Sequence, residues 1–210
     1  MKIITNQDGN QAAMSALSWR QSLNCDGAYG WWLLATLALL ALLALGGERW
    51  LLALRFERDA VAHGQWWRLL TAHLVHLGPK HLLLDGAALI LLWALFARLM
   101  SARSWLLVIL GSAVAIDIAL WWLAPAVQWY AGISGVLHGV WAAGALQSVR
   151  RREITGGLLL LALIAKLARE QYAGASLVVA SFPVVVEAHL YGAIGALVVW
   201  AALVCARKPL

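Results

Sequence analysis

Two short segments carry the residue types that could do chemistry together. Ser134 stands in Gly132-Ile133-Ser134-Gly135 and His189 in His189-Leu190-Tyr191-Gly192. A serine hydroxyl is a weak nucleophile until a neighbouring base takes its proton, and histidine is the commonest such base. Glycines on both sides of the serine let another backbone come close and permit an unusual turn before a helix. Each residue alone has a plainer role. A serine at a helix start caps the first turn, and a lone histidine in a bundle is a hydrogen-bonded packing residue. A second group lies upstream, in Trp67-Arg68-x-x-Thr71-x-His73-x-x-His76-x4-His81-x3-Asp85. His81 and Asp85 are spaced to share a helix face, and three histidines with an aspartate raise the question of a metal. The spacing matches no strong metal signature, so no metal is expected. His138, one turn after Ser134, is placed either to orient or stack on His189 or to hydrogen-bond within the bundle. Lys166 and Glu170, four residues apart, read as a structural ion pair. No third member of a Ser-His-Asp set stands out.

The elements that must position these residues follow from composition. Of 210 residues, 63% are hydrophobic and 12% charged, against about a quarter charged in a soluble domain. That excludes an ordinary soluble globule, a disordered chain and a disulfide scaffold, and points to one domain in a lipid bilayer. The net charge of +6 is spread in short clusters between apolar runs, which argues against a nucleic-acid groove. Cys25 and Cys205 sit in no CxxC or metal spacing. The polar N-terminus and the lack of a clear cleavage site predict no signal peptide. Gaps between charges predict six spanning helices: about 30–45, 81–97, 104–123, 133–149, 154–168 and 188–205. The expected fold is an all-α polytopic membrane protein. Residues 1–29 would form a cytoplasmic N-terminal segment, 30–206 the six-helix domain, and 207–210 a cytoplasmic tail.

Loop charges set the orientation. Arg98/Arg103, Arg150–Arg152 and Arg207/Lys208 follow the second, fourth and sixth spans, whereas the 124–132 connection has no charge. Both termini are therefore expected in the cytoplasm. The connection 46–68, with Trp50, Trp66 and Trp67, reads as a folded element in the outer interface. Depth then follows from helical rise. Ser134 lies sixteen residues before Arg150, or roughly 24 Å above it. His189 lies eighteen before Arg207, roughly 27 Å. His81 and Asp85 lie seventeen and thirteen before Arg98, roughly 26 and 20 Å. In a hydrocarbon core ~30 Å thick, all four fall in the outer third. Asp117 falls in the outer half as well. Intramembrane ionisable groups are expensive, so such a layer is a functional candidate.

W-R-x-x-T, then H-x4-H-x3-Asp into the second span, G-x-S-G at the fourth and H-x-x-G in the sixth resemble the rhomboid intramembrane serine proteases. The likeness runs from about Trp50 to Cys205. The forms Gly-Ile-Ser-Gly-Val-Leu-His-Gly (132–139) and Glu-Ala-His-Leu-Tyr-Gly (187–192), with Lys166, Glu170 and Gln171, are more particularly similar to the bacterial rhombosortase branch. The resemblance implies a six-helix rhomboid-like bundle in a bacterial inner membrane, with a dyad of Ser134 and His189 facing the periplasm. It implies an oxyanion site near His81 and the Ser134–Gly135 backbone, supported by His76, and no cofactor. The implied partners are exported proteins with a C-terminal transmembrane anchor after a Gly-Gly-type signal, cut beside small residues. Two positions depart from the family pattern. Asp85 stands where rhomboids usually have Asn, so it must be protonated, paired with His81, or no donor. His138 stands where many carry Tyr. Two other readings compete: an inactive rhomboid-like protein that binds transmembrane helices, and a His-based transporter.

Overall fold

The computed structural model describes residues 23–174 and 183–206. Most of the expected N-terminal segment, the tail 207–210 and most of the last connection lie outside the described residues. The described elements, in chain order, are α1 (Gly30–Ala44), α2 (Gly47–Leu54), β1 (Phe56–Glu57), α3 (Arg58–Ala62), α4 (Trp67–Thr71), α5 (Pro79–Phe96), α6 (Ala102–Trp122), β2 (Trp129–Tyr130), α7 (Ser134–Arg150), α8 (Ile154–Ala173) and α9 (Val186–Ala206). Each predicted span matches one of α1 and α5–α9. The largest difference is α8, which continues five residues past the expected end and so keeps Lys166 and Glu170 on one unbroken helix.

Among the described residues, three helical stretches are long and apolar enough to cross a membrane: 79–99 (α5 with a following 3-10 turn), α6 and α9. α1 and α2 together would make a fourth, bent by 108°. α7 has only 17 residues, and α8 carries Lys166, Arg169 and Glu170, so neither meets that standard alone. α7 need not face lipid along its length. Most of it is buried, from Gly135 to Gly139 and from Ala142 to Ala145, among α5, α6, α8 and α9.

Glycines set how closely the central helices approach. A Cβ at Gly192 would lie 2.1 Å from the Gly135 carbonyl oxygen, and one at Gly139 would lie 2.7 Å from that of Gly192. α7 and α9 therefore touch backbone to backbone, as small residues allow in membrane bundles.

The connection between α1 and α5 is folded, as expected, with Trp50, Trp66 and Trp67 exposed. Its arginines fasten it to helix ends whose last carbonyls lack partners. Arg58 donates to the carbonyls of Leu120 and Trp121 in the last turn of α6 and of Ala124 and Val127 in the loop that follows. Arg68, buried, donates to Leu52 and Arg55 at 2.9 and 2.8 Å, and Thr71 Oγ1 donates to Leu54 at 2.6 Å. The W-R-x-x-T motif thus closes the end of α2. β1 pairs antiparallel with β2, Phe56 opposite Tyr130 and Glu57 opposite Trp129. That pairing ties the outer connection to the loop that delivers Ser134.

Candidate active site

Chain geometry brings Ser134 to its place from Tyr130 onward. The buried Tyr130 hydroxyl donates to the Gly132 carbonyl at 2.6 Å, and the Gly132 N–H donates to Ala72 at 2.9 Å. Burial pushes the Tyr130 phenol up, so it remains a protonated donor. Gly132 adopts φ +121°, a conformation that L side chains rarely take. Two residues later Ser134 begins α7 with its side chain half-buried.

His189 arrives from the first turn of α9. Its Nε2 lies 3.0 Å from Ser134 Oγ. Its Nδ1 lies 2.9 Å from Glu170 Oε2 on α8, and the other Glu170 oxygen accepts from Lys166 Nζ. His138 stacks on His189 with ring centroids 4.0 Å apart and planes inclined by 15°, while its Nδ1 donates to the Ser134 carbonyl at 2.7 Å. Both alternatives left open for His138 are realised at once. The Lys166–Glu170 ion pair is present too, but it is not self-contained, because Glu170 also reaches the histidine. Spacing along α8 hides that contact, which depends on how α8 packs against α9. One signal was available: Lys166 occupies one carboxylate oxygen and leaves the other free to accept.

The second group gathers on the far side of the serine. His76 Nε2 and His81 Nε2 both approach Asp85 Oδ2, at 3.1 and 3.3 Å, and the two rings meet edge to face. His81 Nδ1 accepts from the Leu77 N–H at 3.3 Å, which leaves the proton on Nε2. Asp85 is thus paired with His76 as well as His81. The His81 ring lies against the Gly132 turn, where a Cβ would fall 2.6 Å from its Cε1. His81, Tyr130, Ala131 and Ser134 line a small recess with room for about one water, together with Trp129 and Pro183–Val185. Deeper still, His73 pairs with Asp117 at 3.4 Å and meets the Tyr130 ring edge-on. Neither His73 nor Asp117 lines the recess; together they brace the loop from behind.

Among the described residues, the ligand atoms of His138, Glu170 and His189 lie within 4.8 Å of one another, close enough to share a metal ion. Both nitrogens of His189 and both oxygens of Glu170 are already engaged in hydrogen bonds, as is His138 Nδ1.

A mostly helical bundle with apolar helices long enough to cross a membrane, and a part-buried Ser134–His189 contact between the start of one helix and the first turn of another, marks a polytopic membrane protein. Residues 63–207 match the Rhomboid domain family, and the chain belongs to that family. It is similar to the rhomboid protease homologue YdcA of Bacillus subtilis (strain 168), with 31% identity over 96 residues, 46% of this chain and 48% of that protein. It is also similar to the rhomboid protease GluP of the same organism, with 32% identity over 83 residues, 40% of this chain and 16% of GluP. The match thus spans less than half the length of either relative. No solved structure matches the chain significantly.

Proposed function

We propose that this protein is an intramembrane serine endopeptidase. The observation that carries the reading is the 3.0 Å contact between Ser134 Oγ and His189 Nε2 beside an open recess. Ser134 attacks a peptide carbonyl while His189 takes its proton. His189 then returns that proton to the leaving amine, and water resolves the acyl-enzyme. The Ser134 N–H starts α7 with no helical carbonyl one turn back, so it can face the developing oxyanion, whereas the Gly135 N–H is directed at the Tyr130 hydroxyl. His81 lines the far side of the recess, with its single ring N–H held by Asp85, and His76 shares that carboxylate. His138 supports the base from beneath.

The substrate we infer is the C-terminal anchor of an exported protein, cut beside Gly, Ala or Ser at the periplasmic side of a bacterial inner membrane. Three things support this: the likeness of segments 132–139 and 187–192 to rhombosortases, the outer-third depth of Ser134 and His189, and basic loops that place both termini in the cytoplasm. In this reading residues 30–206 form one six-helix unit, with the bent α1–α2 pair as its first span. A rhomboid-like protein that binds helices without cutting them would not need both Ser134 and His189. A His-based carrier would not need Ser134.

The test is labelling by a fluorophosphonate probe of the full chain in lipid nanodiscs. Wild type should label and Ser134→Ala should not. His189→Ala should fold yet label at a small fraction of the wild-type rate. Failure of the folded wild type to label would overturn the serine-protease reading.

A further inference from the structure

We propose that Glu170 is a positioning residue for His189, so that the working unit is Ser134–His189–Glu170 with Lys166 behind it, rather than a serine–histidine pair. This rests on the protease reading above and departs from the two-residue dyad that the rhomboid resemblance implies.

The geometry is that of a relay along one line. Ser134 Oγ lies 3.0 Å from His189 Nε2, and His189 Nδ1 lies 2.9 Å from Glu170 Oε2. The side chains of His189 and Glu170 are each only 6% exposed, so water does not compete for the contact. An ionised carboxylate can only accept, which assigns the proton on the ring to Nδ1 and leaves the Nε2 lone pair facing the serine. That is the tautomer a general base needs. When the serine proton arrives at Nε2, the imidazolium forms beside a carboxylate already in place. Lys166 Nζ binds Glu170 Oε1, the oxygen that His189 does not use. It keeps the carboxylate charged inside the bundle and fixes which oxygen faces the ring.

No other group described around His189 can do this. His138, stacked on the ring from α7, spends its Nδ1 proton on the Ser134 carbonyl. Asp117 on α6 is turned to His73. Asp85 on α5 is taken by His76 and His81. Among the described residues, only α8 presents an acceptor to Nδ1.

Glu170→Gln separates this role from simple packing, because it changes few atoms and Lys166 decides its orientation. An ammonium group has only donors, so it claims the single amide oxygen of Gln. The amide NH2 then faces His189 Nδ1, which can meet it only as an acceptor. The ring proton moves to Nε2, and the base presents a donor to the serine.

The experiment uses the full chain in nanodiscs with a cleavable transmembrane substrate and the fluorophosphonate probe. Glu170→Gln should lower kcat at least about 100-fold, within the range that a wrong-tautomer substitution produces in soluble triads. KM should change less than about threefold, since Glu170 is shielded from the recess by His189. Probe labelling should slow in parallel, and Glu170→Asp should recover part of the rate. On wild type alone, 15N NMR of histidine-labelled protein should show His189 as the Nδ1–H tautomer, a readout that does not depend on any variant folding. Glu170→Gln turnover within threefold of wild type, or an Nε2–H tautomer in the wild type, would overturn the proposal while Ser134→Ala remained dead. A wild type that neither labels nor cleaves would instead sink the protease reading.

Discussion

Gly192 is the position where packing and chemistry can be separated most sharply. It lies three residues after His189 on α9, and a Cβ there would fall 2.1 Å from the Gly135 carbonyl oxygen and 3.3 Å from Ile116 Cδ1. The first obstacle is backbone, so no rotamer change relieves it. To restore an ordinary contact near 3.4 Å, α9 must retreat from α7 by about 1.3 Å. Because His189 is one turn from the obstruction, most of that shift reaches it. The 3.0 Å Ser134–His189 contact opens to about 4 Å, beyond hydrogen-bond reach. A misplacement of this size costs on the order of 100-fold in rate, and the overpacking itself destabilises by about 1–3 kcal/mol. The assay is the rate of fluorophosphonate labelling, alongside a tryptophan-fluorescence melt to show that the variant remains folded. Gly157→Ala is the control. That glycine is exposed on α8 with nothing within 4 Å of its added Cβ, so its labelling should match wild type. Its melt should hold or rise, since Ala favours a helix by up to ~1 kcal/mol over Gly. A folded Gly192→Ala that labels within threefold of wild type would refute the claim that this backbone contact sets the site.

Asp85→Asn should be mild, because an amide oxygen still accepts from His76 and His81. Asp85→Leu strands two buried N–H groups, each at ~1–3 kcal/mol, and should be severe; equal cleavage by both variants would remove Asp85 from the oxyanion support. Arg58→Met removes the guanidinium from four carbonyls, two in the last turn of α6 and two in the loop after it, and should destabilise by at least ~1.5 kcal/mol. An unchanged thermal melt would show those contacts to be idle. In substrates, Leu in place of Gly beside the cut should suppress cleavage, since a helix must unwind locally to expose its carbonyl and Gly lowers helix stability by ~1 kcal/mol. Mass spectrometry of the released C-terminus reads this out, and a cut on the cytoplasmic side would contradict the inferred topology.

That Ser134, His189, His81 and Asp85 belong near one another was legible because helical rise turns residue number into height along each helix, and the basic loops supply a common zero. Rotation about each helix axis was not legible in the same way. Spans this apolar on all sides carry almost no periodic signal to say which face turns inward. Glu170 illustrates the consequence. Its i,i+4 partner Lys166 offered a complete local explanation, and only the packing of α8 on α9 shows the second carboxylate oxygen meeting His189. His73 and Asp117 lie in different segments and become a pair only once α6 is set behind the β1–β2 ribbon. Arg58 lies in the connection expected at the outer interface, and its partners are carbonyls more than sixty residues away in sequence, a kind of contact that residue type does not encode.

The glycines around the serine have different tasks, and their spacing follows from them. Gly132 takes a positive φ, and any side chain there would also strike the His81 ring. It makes room on the oxyanion side. Gly135 faces the opposite way: a Cβ there would lie 2.7 Å from Ile116 Cδ1 and 2.9 Å from the Ala188 carbonyl oxygen, immediately before His189. It makes room on the base side. Ser134 is therefore held between two close approaches, one by a side-chain ring and one by a neighbouring helix backbone, and each adjoins a different group of the proposed reaction. A loop chosen for mobility would not need glycine at both of these places. One chosen for space does, because the nucleophile must sit within hydrogen-bond distance of His189 while the His81 ring packs against the turn that precedes it.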